Sequence, residues 1–189
     1  MRRTDTKIRI EAAAIELFGR KGYDATSMRD IAAIVGITEP GLYRHFTGKE
    51  ELGRHVFVSR YAALARQLRN AADRQDEMRG KIGGMVDILL KVYHETPLLF
   101  RFLLLSQHQF LRDVSEDEGN VAQVVSTVLA EAAKEEKSDL ISSDPNVLAS
   151  IVMGIAIHSA VFNIYQRLPG DLGEHRDTLV EAACRGIGL

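Results

Sequence analysis

Residues 27–46 read SMRDIAAIVGITEPGLYRHF. Met28, Ile31, Ala32 and Val35 recur at helical spacing and predict a short helix with one apolar face. Ser27, followed three residues later by Asp30, is a capping-box start. Gly36 ends the helix, because glycine enters left-handed backbone without steric cost. Ile37 fills the corner, Thr38 caps a second helix, and Pro40 is tolerated only in a helix's first turn. Leu42 and Phe46 then face back onto the first helix, and the small side chain of Ala32 lets the two cross closely.

Two readings suit such a pair. One is an ordinary corner of a helical core. The other is a helix-turn-helix whose second helix enters the major groove of DNA. The outer face of the second segment holds Glu39, Gly41, Tyr43, Arg44 and His45, with no apolar patch. It favours the DNA reading, although a solvated helix carries the same residues.

On the amino-terminal side, Ile10, Ala13, Ala14, Leu17 and Phe18 form one stripe and predict a helix over Lys7–Lys21. Gly22 stops it, with Tyr23 packed under the turn. Met1–Thr6, with Arg2 and Arg3, reads as a loose arm, either without function or reaching phosphates or the minor groove. Downstream, Thr47 and Glu50 fit a capping box for a helix over 49–76, and Glu50 with Arg54 is an i,i+4 pair. Its stripe is Leu52, Val56, Ala63, Leu64, Leu68 and Ala71. At 1.5 Å per residue it runs roughly 40 Å, and it is the expected mechanical link between a head and a body.

Ile82, Met85, Val86, Leu89, Val92 and Tyr93 predict a helix stopped before Pro97. Residues 98–111, LLFRFLLLSQHQFL, read as one buried helix. Arg112–Asn120 reads as an acidic loop, Val121–Lys137 as an amphipathic helix, and Ser138–Ser143 as a loop. Asp144 and Pro145 are the cap and first turn of a helix in which residues 146–166 contain no Lys, Arg, Asp or Glu. That run is long enough to cross a bilayer. Against this, Ser150, Gly154, His158, Ser159 and Asn163 are scattered through it, and its flanks hold no clear excess of positive charge. The favoured expectation is a helix buried on two sides, one against its own domain and one against a partner chain. Pro169-Gly170 breaks it, and Leu179, Val180, Ala183 and Ile187 mark the last helix.

The expected fold class is all-α, with about nine helices. A three-helix head occupies residues 1–48 and a helical body residues 49–189. Residues 1–60 carry 11 basic and 8 acidic side chains, against 13 and 18 in the remainder, within a net charge of −2. A mildly basic head on an acidic body suits local contact with phosphate and excludes a globally basic coat protein. Cys184 is the only cysteine, so neither an internal disulfide nor a cysteine zinc site is expected, which fits a reducing cytosol. The amino terminus lacks the pattern of a signal peptide.

Enzyme chemistry finds little support. Residues 41–49 have the wrong glycine spacing for a phosphate loop, and Glu50 stands where Ser or Thr is needed. His94-Glu95 lacks the second histidine of a zinc-protease helix. No catalytic residues, cofactor or metal are therefore expected.

The stretch from Ala12 to Leu52, AAAIELFGRKGYDATSMRDIAAIVGITEPGLYRHFTGKEEL, resembles the amino-terminal domain of the tetracycline-repressor (TetR) family of transcription regulators. The strongest matches are Leu17-Phe18, Gly22-Tyr23, Thr26, Ile31-Ala32, Val35-Gly36, Leu42-Tyr43, Phe46 and Lys49-Glu50. The resemblance implies a regulator, expected to be a repressor, that binds palindromic double-stranded DNA as a homodimer in the cytoplasm. It implies a recognition helix over Glu39–Phe46, begun by Thr38, Glu39 and Pro40. Gly41 would allow close backbone approach, and Tyr43 and His45 would reach phosphates. Thr26, Ser27 and Lys49 would add phosphate contacts, while Arg29 and Arg44 are candidates for base or phosphate. Glu39 either accepts from a cytosine amino group or favours its own helix's positive end.

The family also implies a small-molecule effector held in the body. Arg101, Leu104, Gln107, His108, Ile155, His158 and Phe162 are the candidates for its wall, each also readable as a structural or solvent-facing residue. Two other classes remain open: a helical interaction protein whose head does not bind DNA, and a membrane-attached regulator using residues 146–166.

Overall fold

The computed structural model describes residues 3–114, 119–136 and 143–189, whose regular structure is all helical, without a strand. The described helices are α1 (Arg3–Lys21), α2 (Met28–Val35), α3 (Glu39–Tyr43), α4 (Lys49–Ala72), α5 (Met78–Glu95), α6 (Pro97–Leu105), α7 (Gln107–Phe110), α8 (Val121–Glu135), α9 (Pro145–Ile164) and α10 (Arg176–Gly186). Tight 3-10 turns follow α7, at Leu111–Asp113, and precede α10, at Leu172–His175.

Packing groups Met1–Tyr61 with Thr96–Glu118 in one compact unit, and Ala62–Glu95 with Gly119–Leu189 in another. This grouping differs from a cut at residue 48, because α4 runs through both units and α6 and α7 pack with the head. In the first unit α6 lies along α1. Gly19 makes that approach possible, since a Cβ there would collide with the backbone of Leu98. The helix after residue 49 is therefore not the only element that touches the head.

Aromatic rings fill this unit. Phe18 lies 5.1 Å from both Tyr23 and Phe102, Tyr23 meets Phe110 edge-on at 5.1 Å, and Phe57 lies 5.7 Å from Phe110. Stacked on Phe57, Tyr61 is buried, and burial pushes its phenol up to about 12. The predicted single helix over 98–111 breaks at buried Ser106. A continuous helix would turn Phe110 about 80° away from Phe102; the break lets both rings enter the same core.

In the second unit α8 and α10 pack on α9, and α5 packs on α10, α8 and α9. As expected, Leu179, Val180, Ala183 and Ile187 are buried. So are Ile82, Met85 and Val86 of α5. The cap at Asp144 holds, its carboxylate accepting from the Asn146 N–H at 2.8 Å.

Other boundaries move. Helix α1 begins at Arg3, so the arm expected over 1–6 is helical from its third residue; residues 1–2 lie outside the described set. Helix α4 ends at Ala72 rather than near 76. Its buried face is Leu52, Val56, Phe57, Tyr61, Ala65, Leu68 and Ala72, with Ala63, Leu64 and Ala71 only half-buried. Glu51, not Glu50, closes onto Thr47, accepting from its N–H and its hydroxyl, each at 2.6 Å. Arg54 faces Asp113 at 4.0 Å rather than Glu50. Of the acidic loop expected over 112–120, Arg112 and Asp113 lie in the 3-10 turn and residues 115–118 fall outside the described residues; of the loop expected over 138–143, only Ser143 is described.

Candidate nucleic-acid interface

The helix-turn-helix is assembled from caps. Ser27 accepts from the Asp30 N–H at 3.2 Å, and the Asp30 carboxylate accepts from the Ser27 N–H at 3.0 Å. This is the reciprocal capping box read from the sequence. Lys21 adds a 2.7 Å ion pair to Asp30. That hydrogen bond first, and the Ser27 contacts next, hold the Asp30 carboxyl well below the usual carboxylate range.

Helix α2 buries Met28, Ile31, Ala32 and Val35 and ends at Gly36, whose φ of 72° is left-handed. The Ala32 carbonyl accepts from both Gly36 and Ile37, which fixes the angle of the next helix. There Thr38 accepts from the Gly41 N–H at 3.2 Å. Helix α3 is shorter than the predicted 39–46: past Tyr43 the chain closes a final turn on the Leu42 carbonyl, which accepts from His45 at 2.9 Å and Phe46 at 3.2 Å. Leu42 and Phe46 are buried as expected.

The expected DNA residues divide into two groups. Arg29, Thr38, Pro40, Tyr43 and Arg44 are exposed, with Tyr43 at 47 %; Glu39, Gly41 and His45 are half-exposed. Together they present a polar outer surface along α3 and its closing turn. The other group already has internal partners. Thr26 is only 2 % exposed; its hydroxyl donates to the Gly22 carbonyl at 2.8 Å and its N–H to that of Tyr23 at 3.1 Å. Ser27 is exposed, but its N–H is committed to Asp30.

Lys49 donates to the carbonyls of Tyr23 at 3.1 Å and Asp24 at 3.2 Å. A phosphate contact by these groups would compete with those bonds. The sequence did not single out Arg9, which donates to the Val35 carbonyl and ties α1 to the end of α2. Nor did it single out Glu11, whose carboxylate joins α1 to α4 through His55 at 3.0 Å and Arg60 at 3.3 Å.

The effector candidates divide between the two units. Arg101, Leu104, Gln107 and His108 belong to the first unit, where Arg101 and His108 are exposed. Ile155, His158 and Phe162 belong to the second. Ile155 lies beside Gly186 of α10, and His158 and Phe162 are exposed on α9. Also in the second unit, a surface cleft of about 370 Å³ is lined by α5 and α10, with Arg79 paired to Glu181 and Arg176 to Asp87. Its two arginines are thus already paired, Arg176 also with Asp177 at 2.8 Å, and the lining carries three carboxylates to two guanidiniums. No group of three or more metal-ligating side chains occurs among the described residues.

Residues 10–56 match the family model described as bacterial regulatory proteins, tetR family. The transcriptional regulator TtgR of Pseudomonas putida is 32% identical over 94 residues, covering 50% of this chain and 44% of that protein. The transcriptional activator FasR of Mycolicibacterium smegmatis is 28% identical over 150 residues, 77% of this chain and 63% of that protein. The matches thus span about half to three-fifths of these relatives' lengths. The transcriptional regulator FadR of Bacillus subtilis, solved in complex with stearoyl-CoA, superimposes with a TM-score of 0.76 at 14% identity, covering 95% of this chain and 98% of that one. At that identity the likeness establishes a common fold.

Proposed function

We propose that the chain, whose residues 10–56 match the family model of bacterial regulatory proteins of the tetR family, is a transcription regulator of that family, acting as a repressor, that binds palindromic operator DNA as a homodimer. The observation that carries this reading is the capped helix pair α2–α3, with the outer side of α3 left polar and open. Residues 1–48 are the part that reads DNA, and residues 49–189 serve dimerisation and effector binding. In a two-fold dimer the two recognition helices would stand about 34 Å apart, one turn of DNA, or a multiple of it.

Dimerisation would use Asp144–Leu168 and α10. Helix α9 is supported by α8 and α10 on one side and carries exposed apolar side chains on the other. By length and composition alone it would also cross a membrane; its packing against α8 and α10 favours the dimer, and the protein is read as cytoplasmic.

The effector would be a small apolar organic molecule. An acyl-bearing compound is the first class to test, because FadR of B. subtilis was solved with stearoyl-CoA. Effector and DNA would be coupled through α4, and any factor by which effector lowers DNA affinity must be returned by DNA on effector affinity.

Selection of fragments from total genomic DNA by the purified chain tests the DNA reading. Enrichment of a shared palindrome supports it. Recovery of random fragments, with no duplex preferred, would favour a helical interaction protein instead.

A further inference from the structure

Helix α9 has two faces of different character. Leu148, Ala149, Val152, Ala156 and Ala160 are buried. The opposite face carries Val147, Ile151, Gly154, His158, Val161 and Tyr165, spaced alternately by four and three residues. That 3.5-residue repeat is the spacing of a seam between packed helices. Ile151 at its edge lies against Gly186 of α10; along the rest of the face Val147 and Tyr165 are 54 % and 64 % exposed, and Phe162 beside it is 55 % exposed.

Gly154 sits near the middle of the seam, with nothing within 4 Å of the position a Cβ would take. Glycine inside a helix is destabilising unless its room is needed. At Gly53 and Gly84 the room is taken, by Tyr23 at 2.6 Å and the Ala71 carbonyl at 3.0 Å from the place of a Cβ. Gly154 faces open space.

We infer that the room at Gly154 receives His158 of a second copy, with the two α9 helices antiparallel and centred level with residue 156. In that register the sequence complements itself in size. Val147 falls opposite Tyr165, Ser150 opposite Phe162, Ile151 opposite Val161, and Gly154 opposite His158. Two of these pairs set a small side chain, or none, against a ring, and a third sets Val147 against Tyr165, so both halves of a two-fold contact fill at once. A parallel register would put Gly154 on Gly154 and Tyr165 on Tyr165, with a void at the centre and crowding at one end. The absence of Lys, Arg, Asp and Glu from 146–166 points to the same occupant, since a second copy brings no like charge against itself. The inference rests on the homodimer proposed above and adds its register.

Cysteine cross-linking of the full chain tests it. Cys184 is buried, so introduced thiols report alone. Chains carrying Val147→Cys and Tyr165→Cys are mixed, equilibrated and oxidised. The expected product is the mixed disulfide dimer, with little self-linking of either chain, because antiparallel helices hold the two 147 positions about 27 Å apart along the axis. Self-linking of Val147→Cys without the mixed product would overturn the register and leave the homodimer standing; a wild-type monomer in sedimentation would remove both. As a second measurement, Gly154→Leu is expected to raise the dimer Kd at least tenfold, while Gly154→His combined with His158→Gly returns it towards wild type. A combined variant no tighter than Gly154→Leu would overturn the seat assigned to His158. Should Gly154→Leu fail to fold, the cross-linking pair still decides.

Discussion

Lys49 engages Tyr23 twice: its ammonium donates to the Tyr23 carbonyl at 3.1 Å and stands 4.5 Å from the centre of the Tyr23 ring. Gly53, one turn further along α4, leaves room for the same ring, which a Cβ would approach to 2.6 Å. Tyr23 is thereby seated between α4 and Phe110 of α7. The turn it anchors leads into the cap of α2, so Lys49 positions the helix-turn-helix whether or not it also meets a phosphate.

Lys49→Met is expected to lower stability by about 1–2 kcal/mol, the size of the lost hydrogen bonds and ring contact. It should weaken DNA binding about equally on all sequences. Urea denaturation checks the first effect and salt-dependent binding the second. Unchanged stability would reduce Lys49 to a phosphate contact.

Gly19→Ala forces a methyl group into the backbone of Leu98, where α1 crosses α6. Backbone yields less easily than a side-chain tip, so a loss of about 1–3 kcal/mol is expected. Thermal unfolding measures it. A variant as stable as wild type would mean that α6 moves away from α1 at little cost.

Glu39 is half-exposed at the start of α3. If it reads a base, Glu39→Ala changes the preference at one operator position by roughly 1–3 kcal/mol. Binding to a library of operator variants tests this. An unchanged profile would assign Glu39 to the positive end of its own helix.

The folded-state pKa of Asp30 lies below its unfolded value, chiefly through Lys21. Its contribution to stability is therefore complete above the ordinary carboxylate value of about 3.9 and fades as pH falls below it. Asp30→Asn should be less stable than wild type near neutral pH, and the gap should narrow as the solution is acidified. Chemical denaturation across that range checks it; a gap independent of pH would contradict the capping and ion-pair account.

The helix pair was legible because its signals are local. Ser27, Asp30, Gly36 and Thr38 each act within four residues of themselves, and each sits in the structure as read. What the sequence hid depends on distant partners. The outward faces of Arg101 and His108 follow from where α6 and α7 dock, and the break at Ser106 serves rings brought in from three other segments. The internal use of Thr26 and Lys49 was hidden for a related reason. A lysine beside a helix start reads as a phosphate ligand until the carbonyls that receive it, 25 and 26 residues earlier in the chain, are known.

The central claim is that the α2–α3 surface binds a specific duplex as part of a two-fold dimer. Titration of a fluorescent duplex carrying the selected palindrome, repeated at several salt concentrations, tests it most directly. The account predicts saturation at two chains per palindrome, an affinity that falls steeply and linearly in log–log form with salt as counterions are released, and loss of the preference for the palindrome when Tyr43 and Arg44 are both replaced by alanine. Binding that is equal on the palindrome and on a scrambled duplex, or unaffected by those replacements, would contradict it.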